Sequence, residues 1–275
     1  MMNRRRQRSL RRLKNQLKRI GILLALLIAV ILMICGCLYI GEHLFKKDKH
    51  SDSKKDPDET NISGDVQPNP DQTVTDPVLD LETQILNAYN YQYAKPNASG
   101  IYIVLDAGHG GVDGGTQAGE ILEKDVNLTI TKKVQTLLEE AGATVTMTRE
   151  TDDYVDLADR TRIGNQASAN LFLSLHCNSY EDDSSITGLE VYYHKNSDIS
   201  KQYAEAVTQA LKDTQTIRIR EASKQNMQVL RNSSNPAIMI EMGFLSNPEE
   251  CANLTDPLYQ EFISRMIVEK VISIL

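Results

Sequence analysis

No acidic residue occurs in the first 19 positions of this 275-residue chain, and no charged residue of either sign occurs from Ile20 to Ile40. Nine basic residues crowd that acid-free head: Arg4, Arg5, Arg6, Arg8, Arg11, Arg12, Lys14, Lys18 and Arg19. The whole chain carries 30 Lys+Arg against 37 Asp+Glu, so the remainder is strongly acidic. A basic head alone would suit a nucleic-acid tail. The uncharged stretch directly after it argues against that partner. About 20 apolar residues cross a bilayer as a helix, and residues 20–40 suffice. Basic flanks stay on the cytoplasmic side, which predicts a single-pass anchor in the cell membrane with the rest of the chain outside the cytoplasm. No A-x-A-like site follows near residue 40, which disfavours a cleaved signal peptide. Ile34-Cys35-Gly36-Cys37 loosely matches a lipobox, but apolar residues continue past Cys37. Release of the outer part by later cleavage stays open.

Cysteine is equally sparse, at 4 residues, and two of these lie in the apolar run. Cys177 and Cys251 either pair or stand as small apolar side chains. Aromatic residues are missing from residues 46–82, which are rich in Asp, Lys, Ser and Pro. Such a stretch cannot bury enough apolar surface to fold. It reads as a flexible spacer. The expected organisation is a basic cytoplasmic tail (1–19), a membrane anchor (20–40), an extracytoplasmic linker (41–98) and a catalytic domain (99–275). Tyr89, Tyr91 and Tyr93 mark the end of the linker as a short extension that packs on the body.

The body has a regular rhythm. Apolar strands are expected at Ile101–Leu105, Ala143–Thr148, Leu171–Leu175, Leu189–Tyr193 and Ala237–Glu241. Helices are expected at about 124–140, 156–167, 200–212 and 257–275. Val126, Ile130, Val134, Leu137 and Leu138 share one face of the first helix, which Gly142 closes. Strands alternating with helices predict a single α/β domain with a mostly parallel sheet. Ligands of such sheets bind at the carboxyl ends of the strands.

Histidine is scarce too: the body holds only His109, His176 and His194. His109 and His176 directly follow apolar strands. Imidazole is the commonest zinc ligand, and a catalytic zinc takes three protein ligands and keeps one position open. A carboxylate completes the set: Glu123, at the start of the first helix, with Glu120 as competitor. Each residue also has an ordinary reading, as turn residue, rim hydrogen-bond partner or helix-start acid. Gly108-His-Gly-Gly111 lacks the G-x-G-x-x-G spacing, and no G-x-x-x-x-G-K-[ST] loop exists, so nucleotide-binding loops are excluded. Glu241 ends an apolar strand. It is either a structural acid paired with Arg231 or Arg160, or a general base beside a metal.

At these residues the body resembles the zinc-dependent N-acetylmuramoyl-L-alanine amidases of the type-3 amidase fold. The motifs stand in order: Ile103–Gly111, Leu122–Leu128, Thr148-Arg149, Leu157–Arg160 with Asn165, Leu173–Asn178, and Val229–Asn232 with Ile240–Asn247. The resemblance implies one zinc held by His109, Glu123 and His176, with Glu241 as acid/base. Asn178, Arg231, Arg160 and Asn127 become candidates for binding substrate or supporting the ligands. It implies cleavage of the amide between N-acetylmuramic acid and L-alanine in peptidoglycan, and a twisted six-stranded sheet with helices on both sides. Departures are small: Cys177 replaces a usual small residue and Asn170 a usual Asp. Some relatives carry an inserted helix that blocks the site. No spare helix is legible between His176 and Glu241 here. The expected catalytic domain is monomeric, acts on peptidoglycan and binds no nucleic acid. A zinc peptidase acting on stem peptides and a non-catalytic wall-binding module are the rival readings.

Overall fold

A computed structural model describes residues 90–275. The expected tail, the apolar span and most of the linker lie outside those residues. Among the described residues, no helix is long and apolar enough to cross a membrane.

The first apolar run forms β1 (Tyr102–Ala107). A two-residue hairpin, β2 (Gln117–Ala118) and β3 (Ile121–Leu122), then leads into helix α1 (Glu123–Glu140). The stripe Val126, Ile130, Val134, Leu137 and Leu138 is buried along α1 as its period demands. Each such side chain contributes roughly 1.5–3 kcal/mol when fully buried. Gly142, at φ 96°, ends the helix. Gly142 N–H bonds Glu139 O and Ala143 N–H bonds Leu138 O, each at 3.0 Å, the paired closure that a left-handed residue permits. There follow β4 (Thr144–Met147), α2 (Leu157–Ala167) and β5 (Leu171–Asn178). Next come β6 (Glu190–Tyr193), α3 (Asp198–Lys212), β7 (Ser223–Lys224) and the four-residue α4 (Gln228–Arg231). The chain closes with β8 (Ala237–Phe244), α5 (Pro248–Thr255) and α6 (Pro257–Ile272).

The main sheet has six strands in the order β4-β1-β5-β8-β6-β7. All neighbours are parallel except β6 against β8. The mostly parallel α/β reading therefore holds. The sixth strand is the two-residue β7, too short to leave a periodic signal. The helix expected at about 257–275 is α6, and a further helix that the sequence pattern did not show, α5, precedes it. Asn247 caps α5 and Asp256 caps α6, and a proline follows each cap.

Alternation along the strands gives the sheet two unlike faces. Ile103, Leu105, Leu171, Leu173, Leu175, Ile238 and Ile240 join the large core with α1, α3 and α6. Val104, Phe172, Tyr192 and Met239 form a smaller one with Val229 and Leu230 of α4. Beyond that smaller core, the same alternation puts Asp106, Ser174, His176 and Glu241 at the carboxyl ends of the central strands. The segment entering the body packs elsewhere. Tyr91 meets Phe262 edge-on at 5.2 Å, Arg265 lies 5.4 Å over the Tyr93 ring, and Ala98 N–H bonds Ala141 O at the far end of α1 from Glu123.

Candidate active site

Three residues from three elements converge at the carboxyl edge of the sheet. His109 follows β1, Glu123 opens α1, and His176 lies in β5. One ligand atom from each can be chosen so that all lie within 4.8 Å of one another. His109 Nε2 is 3.1 Å from Glu123 Oε2, and His176 Nδ1 is 3.0 Å from Glu123 Oε1. The two rings meet edge-on with centroids 4.9 Å apart. Glu120 is exposed on the preceding turn, whereas Glu123 is buried.

Local structure explains the convergence. No side chain caps α1. Instead Thr116 O accepts from Glu123 N–H at 3.0 Å, and Gly114 O accepts from Lys124 N–H at 3.1 Å. The loop after His109 thus fixes the first turn of α1 directly. His109 has φ 60°, a left-handed conformation uncommon for a residue with a Cβ. Gly108 beside it has no room for a side chain: a Cβ there would lie 2.2 Å from His176 Cε1.

Neighbouring groups orient the set. Asp113 Oδ2 is 2.8 Å from His109 Nδ1, which leaves Nε2 to face Glu123. A carboxylate behind a metal-binding imidazole fixes its tautomer and ring angle. Nothing in the sequence reading pointed to Asp113, although it lies four residues after His109. Glu123 accepts from Asn127 Nδ2 at 2.9 Å, Thr116 N–H at 2.9 Å and Cys177 N–H at 3.1 Å. Burial opposes ionisation of Glu123, but the hydrogen bonds and charges of both histidines outweigh it and lower its pKa. Burial likewise pulls the His109 pKa down, yet Asp113 and Glu123 raise it from 6.5 to about 10. A site built this way favours positive charge between its ligands. Two imidazole nitrogens and one carboxylate oxygen are also the donor types and the number that a catalytic zinc takes. The residues present fit such an ion.

Glu241 lies on β8, in register with His176. It is buried, and its Oε2 has no hydrogen-bond partner. It pairs with neither arginine suggested from the sequence: Arg160 holds Asp106 at 2.7 Å, and Arg231 is exposed with its Nη1 on Asn226. The remaining candidates support rather than line the site. Asn127 holds Glu123, while Asn178 Nδ2 reaches Glu190 at 2.8 Å and Tyr192 Oη at 3.2 Å. Cys177 and Cys251 are both free thiols. Between His176 and Glu241 lie β6, α3, β7 and α4, and α4 spans only four residues.

A mostly parallel α/β sheet with a His-Glu-His cluster at its carboxyl edge, beside an unpaired buried carboxylate, defines the class of candidate metal-dependent hydrolases. The sequence comparison is narrower. Residues 103–273 match the family described as N-acetylmuramoyl-L-alanine amidase, and the chain belongs to that family. It is 31% identical over 214 residues to the germination-specific N-acetylmuramoyl-L-alanine amidase of Bacillus subtilis (strain 168), covering 68% of this chain and 89% of that one. It is 37% identical over 181 residues to the probable cell wall amidase LytH of Staphylococcus saprophyticus, covering 64% of this chain but only 60% of that one. Among solved structures, the N-acetylmuramoyl-L-alanine amidase from Clostridium difficile 630 superposes with a TM-score of 0.61 at 35% identity, covering 64% of this chain and 96% of that one. AmiC2 of Nostoc punctiforme gives 0.60 at 36% identity, with 64% and 98% covered.

Proposed function

We propose that this amidase hydrolyses the amide between the lactyl group of N-acetylmuramic acid and L-alanine in peptidoglycan, with one zinc held by His109, Glu123 and His176. The observation that carries the zinc reading is the convergence of those donors within 4.8 Å. Zinc there supplies Lewis acidity, polarising a carbonyl and acidifying water. The chain's own residues do the rest. Asp113 holds His109 in one tautomer, and Asn127 and Cys177 N–H hold Glu123. Glu241 offers Oε2 as the proton acceptor, because that atom has no other partner. Its raised pKa then suits return of the proton to the departing alanine nitrogen. The test uses the full chain on purified peptidoglycan, with a chelator and then with zinc restored. Release of amine that stops with chelator and returns with zinc supports this reading. Release indifferent to chelator defeats it.

The location is part of the proposal. Residues 20–40 anchor the chain in the cell membrane, residues 41–98 act as a tether, and the catalytic domain works as a monomer outside the cytoplasm. The support is the uncharged run behind nine basic residues. Protease accessibility of residues 99–275 in intact cells, with residues 1–19 protected, is the matching test.

A further inference from the structure

Three successive backbone carbonyls lead out of β1 to His109, and two buried guanidinium groups take all three. Arg149 Nε donates to Ala107 O and its Nη2 to Gly108 O, each at 2.9 Å. Arg160 Nη1 donates to Ala107 O and its Nη2 to His109 O, each at 2.7 Å. The two arginines are 4% and 3% exposed, so neither can reach a substrate. Asp106 pairs with Arg160 and is itself held by Thr148 and Ser174 hydroxyls. Among the described residues Arg149 pairs with no carboxylate. Its other hydrogen bonds end on Thr151 O at 3.0 Å and Lys124 O at 2.8 Å.

The last contact is the informative one. A single nitrogen, Arg149 Nη2, bridges Gly108 O and Lys124 O. Gly108 precedes His109, and Lys124 follows Glu123. Burying two like charges side by side is costly, and an ordinary core has no use for it. Here their donors concentrate on the left-handed turn at His109 and on the first turn of the helix that carries Glu123. The rigid fork of arginine allows this, whereas a lysine ammonium is a single point.

We propose that Arg149 and Arg160 are positioning residues for the metal site: Arg149 sets the spacing of His109 to Glu123, and Arg160 fixes the turn at His109. The inference rests on the zinc reading above. The test compares the full chain with its R149K and R160K variants. Zinc affinity is measured by competition with a chromogenic chelator, and the visible spectrum of the cobalt-substituted protein reports ligand geometry. Far-UV circular dichroism of the metal-free chains controls for folding. Both variants should fold, bind zinc roughly 10–100-fold more weakly and show altered cobalt bands. A variant that needs help to fold is measured in sucrose, which favours the compact state. Folded variants with wild-type zinc affinity and cobalt bands would overturn the inference while leaving the zinc reading intact. A wild-type chain that binds no zinc would overturn both.

Discussion

Glu190 and Glu241 are directly opposite each other on the antiparallel pair β6 and β8, and both are buried. Their surroundings differ. Glu190 accepts from Arg220 Nε at 3.0 Å, Asn178 Nδ2 at 2.8 Å and Tyr192 Oη at 2.6 Å. Glu241 keeps an oxygen with no partner. Burial, followed by repulsion from Glu123 and Glu190, holds its carboxyl well above the ordinary carboxylate range. One member of the pair is structurally satisfied, and the other is left available for proton transfer.

Replacing Glu241 by Gln should therefore leave fold and zinc content unchanged while kcat falls by about 10²–10⁴-fold. Metal analysis alongside turnover of purified peptidoglycan checks this. Near-full turnover in the variant would remove Glu241 from the reaction.

Asp113→Ala releases His109 Nδ1 from its 2.8 Å contact. Zinc affinity should weaken roughly 10–100-fold, because the imidazole is free to rotate and to change tautomer. Chelator competition measures it. Asp113 is 40% exposed, so the melting temperature of the metal-free chain should barely move.

Gly108→Ala puts a methyl group 2.2 Å from the His176 ring. The added atom must displace the imidazole or the backbone carrying His109. Zinc binding should be lost and the chain destabilised, each readable by calorimetry with and without metal. Wild-type zinc affinity in this variant would contradict the close packing of the two histidine segments.

Glu250 governs a pH response away from the metal ligands. Its carboxylate accepts from Gly188 N–H at 2.7 Å and Phe244 N–H at 2.6 Å. Burial pushes its pKa from 4.5 to about 7, although those donors and the charges of Arg218 and Arg220 pull the other way. A pKa raised on folding means the folded chain holds the proton more tightly. The resulting stability is full below about pH 4.5, falls as pH rises and is gone above about 7. The loss amounts to about 3 kcal/mol at most. Urea unfolding at pH 5 and pH 8 should show this slope in the wild type and its removal in Glu250→Gln. A gap between the two chains that stays constant with pH would contradict it.

Much of this was legible because hydrophobic runs end in polar residues that chemistry can use. The strands before His109 and His176, the strand bearing Glu241 and the stripe on α1 all show in the pattern. Glu123 was expected where the first helix begins, and it is the first residue of that helix, held by the preceding loop. What escaped has no period. Arg160 was a candidate partner for Glu241 or a support for the ligands, yet it pairs with Asp106 and reaches the carbonyl oxygens around His109. Arg231 looks like a partner for Glu241, yet it is exposed and binds Asn226. Asp113, Glu190 and Arg220 act through side-chain contacts that only tertiary structure brings about.

The most direct test of the account is the chemical identity of the ends that the full chain creates on purified peptidoglycan, read by mass spectrometry. The account predicts muramic acid with a free lactyl carboxylate and intact stem peptides beginning with a free L-alanine amine. Stem peptides shortened at internal bonds, with the muramic acid linkage untouched, would contradict it.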